Sequence, residues 1–369
     1  MTNATARASA DAEVQLLTGA ADVSRASAAW DALPSTSAAV GGHAWVQAWL
    51  EVYGAEHELG VAVAGSVDVP TAVLPLVRNR RSPWTWEMLG VRQVSEPMDV
   101  RGYDARGLGL LVEDAVRRGV PLRFKRLPAE SPLLPPLQAM HGRRALVRTR
   151  LVVGTPTIAL DKRWREPEHH FSKRRRGDFR TALRRAEQLG QVELTVEEPT
   201  PEQVGPLFEE VVAVEASGWK MRAGTALAAS PRKRSFLLRL CEIAAEEKAT
   251  RLAFLRIGGR AVAVQVAVEQ QGRYSLFKIG FDEEFARCSP GNLLMLHTVR
   301  QAANRGLTAF DFLGAEEPWT AVWTEEVRSC LDVNVYPLSA WSPVAGADAV
   351  ARRLGWWGLQ RIRAARTGG

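Results

Sequence analysis

Ser289-Pro290-Gly291 is the one place in this sequence where a strand-like run delivers the chain into a free helix start. Such a junction offers backbone amides and the positive end of a helix dipole to an anion such as a cofactor phosphate. Ser289 suits the cap, Pro290 the first helical position, and Gly291 lets backbone approach a ligand closely. Ser289, Pro290, Gly291, Asn292 and Leu293 are therefore assigned to the anion, with Lys278 and Arg287 adding charge. The same tripeptide also makes a plain helix cap without any ligand. Four carboxylates nearby are candidate proton acceptors: Asp282, Asp311, Glu316 and Glu317. Asp311 ranks first because it ends a strand expected to face a cleft; a structural acid bonded to loop backbone is its competing role. Glu215, at a helix end, ranks next among the catalytic candidates. With Lys220 in the following loop it could meet an acceptor's ammonium or carboxylate, unless both are surface residues beside a buried Trp219. No Ser-His-Asp, Cys-His or Gly-x-Ser-x-Gly pattern occurs, and His169-His170 has no third ligand at metal spacing, so no metal site is assigned.

Two runs carry a family resemblance. Ser-Pro-Gly-x-Leu-Leu at 289–294 is followed one helix later by Arg-Gly-Leu-x-x-Phe-Asp-Phe-x-Gly at 305–314, and upstream stands Glu215-Ala-Ser-Gly-Trp-Lys-Met-Arg-Ala-Gly-Thr-Ala-Leu227. In this order they resemble the tandem branch of the GNAT acyltransferase superfamily, which holds cellulose-biosynthesis-type acetyltransferases and Fem-type aminoacyl transferases. The resemblance implies acyl-CoA pyrophosphate at the helix start and direct attack of an amine on the acyl group. It also implies Tyr274 as general acid for the leaving thiolate, a core tyrosine being the alternative. Trp219, Lys220, Glu316 and Trp319 are assigned to the acceptor. Where relatives often carry an aromatic-Lys pair, this chain has Trp319-Thr320, which leaves that lysine's role unfilled.

Those residues need a scaffold, and hydrophobic patterning supplies one twice. Leu59–Ala64 and Thr71–Val77 read as a hairpin, Trp84–Leu89 as a strand, Gly107–Arg118 as a helix and Leu122–Leu127 as a strand. Arg251–Ile257 and Ala261–Val268, joined by Gly258-Gly259, repeat the hairpin. Tyr274–Gly280, the helix from Pro290 and the strand at 308–313 complete the second copy. The predicted fold is α/β (α+β): two tandem GNAT-like units, each a mixed, mostly antiparallel sheet flanked by helices. The expected divisions are a disordered tail at 1–12, a degenerate unit at 13–165 and a basic linking helix at 166–190. An active unit at 191–345 and a basic amphipathic tail at 346–369 follow. The first copy has Asp104-Ala-Arg-Gly107 where the second has Ser-Pro-Gly, hence its reading as non-catalytic. Helices are also expected at 22–33, at 42–53 with Trp45 and Trp49 as core, from a Thr200-Pro-Glu-Gln203 capping box to Glu215, and at 232–247.

The chain has 369 residues, 46% hydrophobic and 24% charged, with a net charge of +7. That is ordinary globular composition with a lean toward anionic partners. Three spaced cysteines, no secretory pattern at the start and no membrane-length apolar run point to the cytoplasm. Peripheral contact at the inner membrane face, through the tail at 347–366, is the second expectation. Lys173, Arg174, Arg175, Arg176, Arg180, Arg184 and Arg185 make one strongly basic helix from Ser172, with Phe179, Leu183 and Ala186 on one face. A solvated face, RNA phosphate and CoA phosphate are its three readings, in that order. The leading function is N-acyl transfer from acyl-CoA, acetyl-CoA first, to a primary amine of a small molecule or sugar. The alternatives are a Fem-type transferase using aminoacyl-tRNA to form an amide or peptide bond, and a non-catalytic tandem-GNAT protein in polysaccharide or lipid assembly.

Overall fold

The structure is a computed structural model, and it describes residues 14–94, 96–218 and 227–338. Both tails, and Trp219 and Lys220, lie outside the described residues. The first half runs β1 (Val14–Leu17), α1 (Ala20–Trp30), α2 (His43–Tyr53), β2 (His57–Gly65), β3 (Pro70–Asn79) and β4 (Ser82–Met88). It continues with α3 (Val91–Val94), α4 (Ala105–Arg117), β5 (Leu122–Pro128), α5 (Leu134–Ala139) and β6 (Ala145–Ala159). The second half runs α6 (Lys173–Glu187), β7 (Val192–Glu197), α7 (Pro201–Ala216), α8 (Pro231–Glu246), β8 (Thr250–Ile257), β9 (Arg260–Gln270) and β10 (Arg273–Phe281). It ends with α9 (Pro290–Asn304), β11 (Ala309–Asp311) and β12 (Val327–Pro337). The duplicated order of hairpin, strand, helix and strand is β2-β3-β4-α4-β5 and again β8-β9-β10-α9-β11. In both copies the strand before the helix pairs in parallel with the strand after it, as a crossover connection requires.

The local signals work as the residues dictate. Thr200 and Gln203 form the reciprocal capping box with Pro201 at N1, and Ser172 Oγ accepts from the Arg175 amide at 3.3 Å to start α6. Helix α1 is capped by Gly19 rather than Asp22, and α2 by Gly42.

The boundary at 165 does not separate two sheets. All twelve strands join in one order, β1-β2-β3-β4-β5-β12-β6-β11-β10-β9-β8-β7. Strand β12, from the end of the second half, lies between β5 and β6. Strand β6, from the end of the first half, reaches β11 through Thr157, Ile158 and Ala159. Each half thus supplies a strand to the other. The core is shared as well: Trp45 of α2 packs edge-on against Phe236 of α8 at 4.9 Å and against Phe277 of β10 at 6.1 Å. Trp45 and Trp49 are almost fully buried, as core residues on a helix face should be.

The loop facing β3 carries two buried charges. Arg101, 1% exposed, donates to the carbonyls of Gly41 and Ala38 and sits 3.5 Å from Asp31. Asp99 accepts from Ser131 Oγ at 2.5 Å, Thr36 Oγ1 at 2.6 Å and the Val100 amide at 2.8 Å. Burial dominates over these bonds and pushes the Asp99 carboxyl up to about 6. A carboxyl raised on folding costs stability as pH rises from its unfolded value through its folded one, on the order of 3 kcal/mol once fully ionised. Asp99→Asn is therefore expected to raise the melting temperature at pH 8, with the gain shrinking as pH falls through 6 toward 4. Melting curves of both proteins across that range check it; a gain independent of pH would contradict the assignment.

Candidate active site

Strands β10 and β11 pair in parallel only over Arg273–Ser275 and Ala309–Asp311, and beyond that point their pairing stops. A bulge in β10 leaves Phe277 without a register partner on β9, between Leu276 and Lys278. The bulge re-aims the residues after it. Lys278 Nζ lies 3.4 Å from Glu215 Oε1, and Glu215 Oε2 accepts the Leu227 amide at 2.7 Å. Glu215 is 1% exposed. Helix α7 ends flush against the strand here, since a Cβ on Gly280 would lie 2.9 Å from the Glu215 Cα. Any larger residue at 280 would push that end off the sheet.

The turn after β11 is held from the other half of the chain. The Gly314 amide donates to Glu96 Oε2 at 2.7 Å, and the Gly314 carbonyl accepts from the Arg126 guanidinium. Leu313, Gly314 and Arg126 all adopt left-handed backbone, with φ of 51°, 50° and 50°. Non-glycine residues persist there only when their surroundings over-determine them, a condition concentrated at functional sites. Glu96 is partly buried. Burial raises its carboxyl above the usual range, while the Gly314 amide and then the charges of Arg126 and Lys278 draw it partly back. A carboxylate raised in this way at the seam between the two halves is a fit proton acceptor for an amine. Nothing local in Val94-Ser95-Glu96-Pro97 signals this role; the pairing with Gly314 places it.

At the start of α9, Ser289 is in left-handed backbone and makes no side-chain cap bond; its carbonyl accepts from the Asn292 and Leu293 amides instead. A hydroxyl cap is what its residue type leads one to expect, and the left-handed turn carries the side chain away from it. The mouth of the helix is thus free of a protein side-chain cap. A Cβ on Gly291 would meet only Phe281, at 3.7 Å. These features fit a phosphate at the helix start. With the Asn292 and Leu293 amides turned onto the Ser289 carbonyl and no N–H on Pro290, the Gly291 amide is the one these residues offer to an anion; Pro290 and Leu293 are buried and Asn292 is half-buried. Helix α6 flanks this loop, with Arg185 donating to the Arg287 carbonyl at 3.2 Å.

The other expected site residues take the following places. Asp311 is buried and accepts two bonds from Arg273, both 2.7 Å, and one from Thr157 at 2.9 Å. These three bonds match the structural role that competes with catalysis for Asp311. Tyr274 is 2% exposed, stacked on Phe310 at 4.7 Å, and its hydroxyl has no partner among the described residues. Burial raises its phenol well above its ordinary value, and this setting matches the core role that competes with a general acid's. Asp282 caps the short turn after β10 and pairs with Arg260. Lys278 is paired with Glu215 at 3.4 Å. Glu316 and Glu317 are exposed, Trp319 donates to Glu317 at 2.6 Å and packs on Phe312 at 5.6 Å. Thr320 is buried and closes that turn on Glu317. His169 pairs with Glu166 and His170 stacks on Trp164 at 3.8 Å. The structure thus gathers Glu215, Lys278, Glu96, Arg126 and Gly314 around the opening of the strands and leaves Asp311 and Tyr274 within the framework.

Residues 173–320 match a family model described as an acetyltransferase (GNAT) domain, and the match begins at α6. The basic helix is therefore inside the matched domain. The fold is also that of solved structures. The C-terminal domain of a protein described as a lysylphosphatidylglycerol synthetase from Agrobacterium fabrum superposes with a TM-score of 0.57 at 15% identity, covering 91% of this chain and 97% of that one. FemX gives 0.57 at 12% identity, covering 88% and 97%. A protein of unknown function from Bacteroides thetaiotaomicron gives 0.54 at 12%, covering 88% and 100%. No curated protein matches the chain in sequence.

Proposed function

We propose that this acyltransferase, whose GNAT domain spans residues 173–320 and whose whole chain has the tandem-GNAT fold, moves an acyl group from acyl-CoA to a primary amine. The observation that carries the donor is the α9 start, uncapped by any side chain and with room at Gly291. The acceptor lies at the opening beyond Ser275 and Asp311, between the two halves. Attack forms the nitrogen–acyl carbon bond and breaks the carbon–sulfur bond. The ammonium proton passes to Glu96, directly or through water, and a proton from water neutralises the thiolate. Glu215 and Lys278 supply a fixed pair of charges where the acceptor enters. Preorganised groups of this kind act by holding the reacting atoms in place.

The experiment is a thiol-release assay with acetyl-CoA and longer acyl-CoAs over a panel of amino sugars and small amines. Turnover with one class assigns the acceptor. A second reading, aminoacyl-tRNA as donor in the Fem manner, is favoured by the seven cations of α6, none of which has a carboxylate partner among the described residues. It predicts filter retention of charged tRNA and no thiol release. No described helix is long and apolar enough to cross a membrane; contact at an inner membrane face stays a proposal about the tail.

A further inference from the structure

Arginines over most of this protein sit against carboxylates: Arg78 on Glu58, Arg118 on Asp114, Arg251 on Glu269, Arg273 on Asp311. Helix α6 gathers seven cations, Lys173 to Arg176, Arg180, Arg184 and Arg185, that have no carboxylate partner among the described residues. Its cations make bonds only to neutral oxygens, such as Arg176 to the Phe171 carbonyl at 3.0 Å. Two of them, Arg176 and Arg180, overhang a groove of 480 Å³ between α6 and α9. Its apolar lining comes from Phe179 and Leu183 on one side and Leu293 and Leu296 on the other. The acid and the histidine at its end are already engaged, Glu168 by Arg300 and His169 by Glu166. The rim therefore carries two uncompensated positive charges above an apolar floor.

We propose that this groove binds a single anionic amphiphile, an alkyl chain ending in a phosphate. The chain would lie on Phe179, Leu183, Leu293 and Leu296, where apolar surface leaves water, and the phosphate would be taken by the guanidiniums of Arg176 and Arg180. Charge complementarity selects an anion; the floor selects an alkyl chain over a small ion. A nucleic acid fits less well, because the nearby rings are already packed on one another and Phe179 is only 5% exposed, too little for a base to stack on. Phe171 and Phe179 pack on each other at 5.2 Å and on Trp323 at 5.4 and 6.3 Å. The site is separate from the opening beyond Asp311, and the inference stands whether or not the donor is acyl-CoA.

The test is calorimetric titration of the full chain with dodecyl phosphate below its micelle-forming concentration. Saturable one-to-one binding is expected, with inorganic phosphate and neutral dodecyl maltoside each at least tenfold weaker. Arg176→Ala/Arg180→Ala should weaken dodecyl phosphate at least tenfold; Arg180→Ala alone, at an exposed position, should weaken it at least threefold with an unchanged melting temperature, which separates lost binding from the loss of the half-buried Arg176 bond to Phe171. Co-sedimentation with phosphatidylglycerol vesicles, lost in the same variant, would place the amphiphile in a membrane; binding of the monomer alone would make it a free metabolite. Inorganic phosphate binding as tightly as dodecyl phosphate would overturn the proposal, as would an RNA oligonucleotide that binds this face while the amphiphile does not. Competition by CoA, which lacks an alkyl chain, would also overturn it by assigning the groove to the donor.

Discussion

Glu96→Gln is expected to lower the turnover number by roughly 10²- to 10⁴-fold, the range for losing a positioned proton acceptor. The substitution is chosen because a glutamine oxygen can still accept the Gly314 amide that Glu96 holds at 2.7 Å. The left-handed turn at Leu313 and Gly314 then keeps its anchor, and the melting temperature should move little. Only the ability to take a proton is lost. In the wild type the acid limb of kcat/KM should lie above the ordinary carboxylate range, because burial raises the Glu96 carboxyl. Activity is then present above that raised value and lost as pH falls through it. A glutamine variant with normal turnover would remove Glu96 from the mechanism and return the role to Glu215 or to water.

Asp311 gives the second large effect, in the opposite currency of stability. It is 4% exposed and makes two bonds to Arg273 and one to Thr157. Removing one partner of such a pair leaves a charge without compensation and costs about 3 kcal/mol, the low end of the usual range because Arg273 keeps some contact with water. Asp311→Ala should therefore show a lower denaturation midpoint at unchanged slope. Asp311→Asn, assayed well below its own melting temperature, should retain turnover within tenfold. Loss of turnover in the asparagine variant without loss of stability would reinstate Asp311 as the base.

The elements that position the site were legible where their residues obey local rules. The hairpin at Gly258-Gly259, the capping box at Thr200 and the Pro290 helix start each depend on a few neighbouring residues. Strands β6 and β12 were not legible, because what makes them strands is each other. Half of β6 is exposed on both faces, with Leu146, Leu151 and Val153 alternating with Arg148 and Arg150, so it shows no buried stripe. Its partner lies in the other half of the chain, and the exchange of strands that makes one continuous sheet of the two halves has no trace in spacing. The same holds for the chemistry. Sequence singled out the helix start from neighbouring residues and Glu215 from its place at a helix end, while the Lys278 that Glu215 meets lies 63 residues on. Glu96 reaches Gly314 across 218 residues, and Asp311 meets Arg273 across 38. One pairing creates a candidate base and the other engages one.

Direct titration of acetyl-CoA into the wild type and into Gly291→Trp tests the central claim most simply. The variant should fold, since a Cβ at 291 meets only an ordinary contact with Phe281 and the half-buried position opens toward the mouth of α9, yet an indole there would stand over the Gly291 amide. Saturable binding to the wild type, with at least tenfold loss in Gly291→Trp at an unchanged melting temperature, is the predicted result. Absence of binding to the wild type, or equal binding by both proteins, would contradict the donor site placed at Ser289–Leu293.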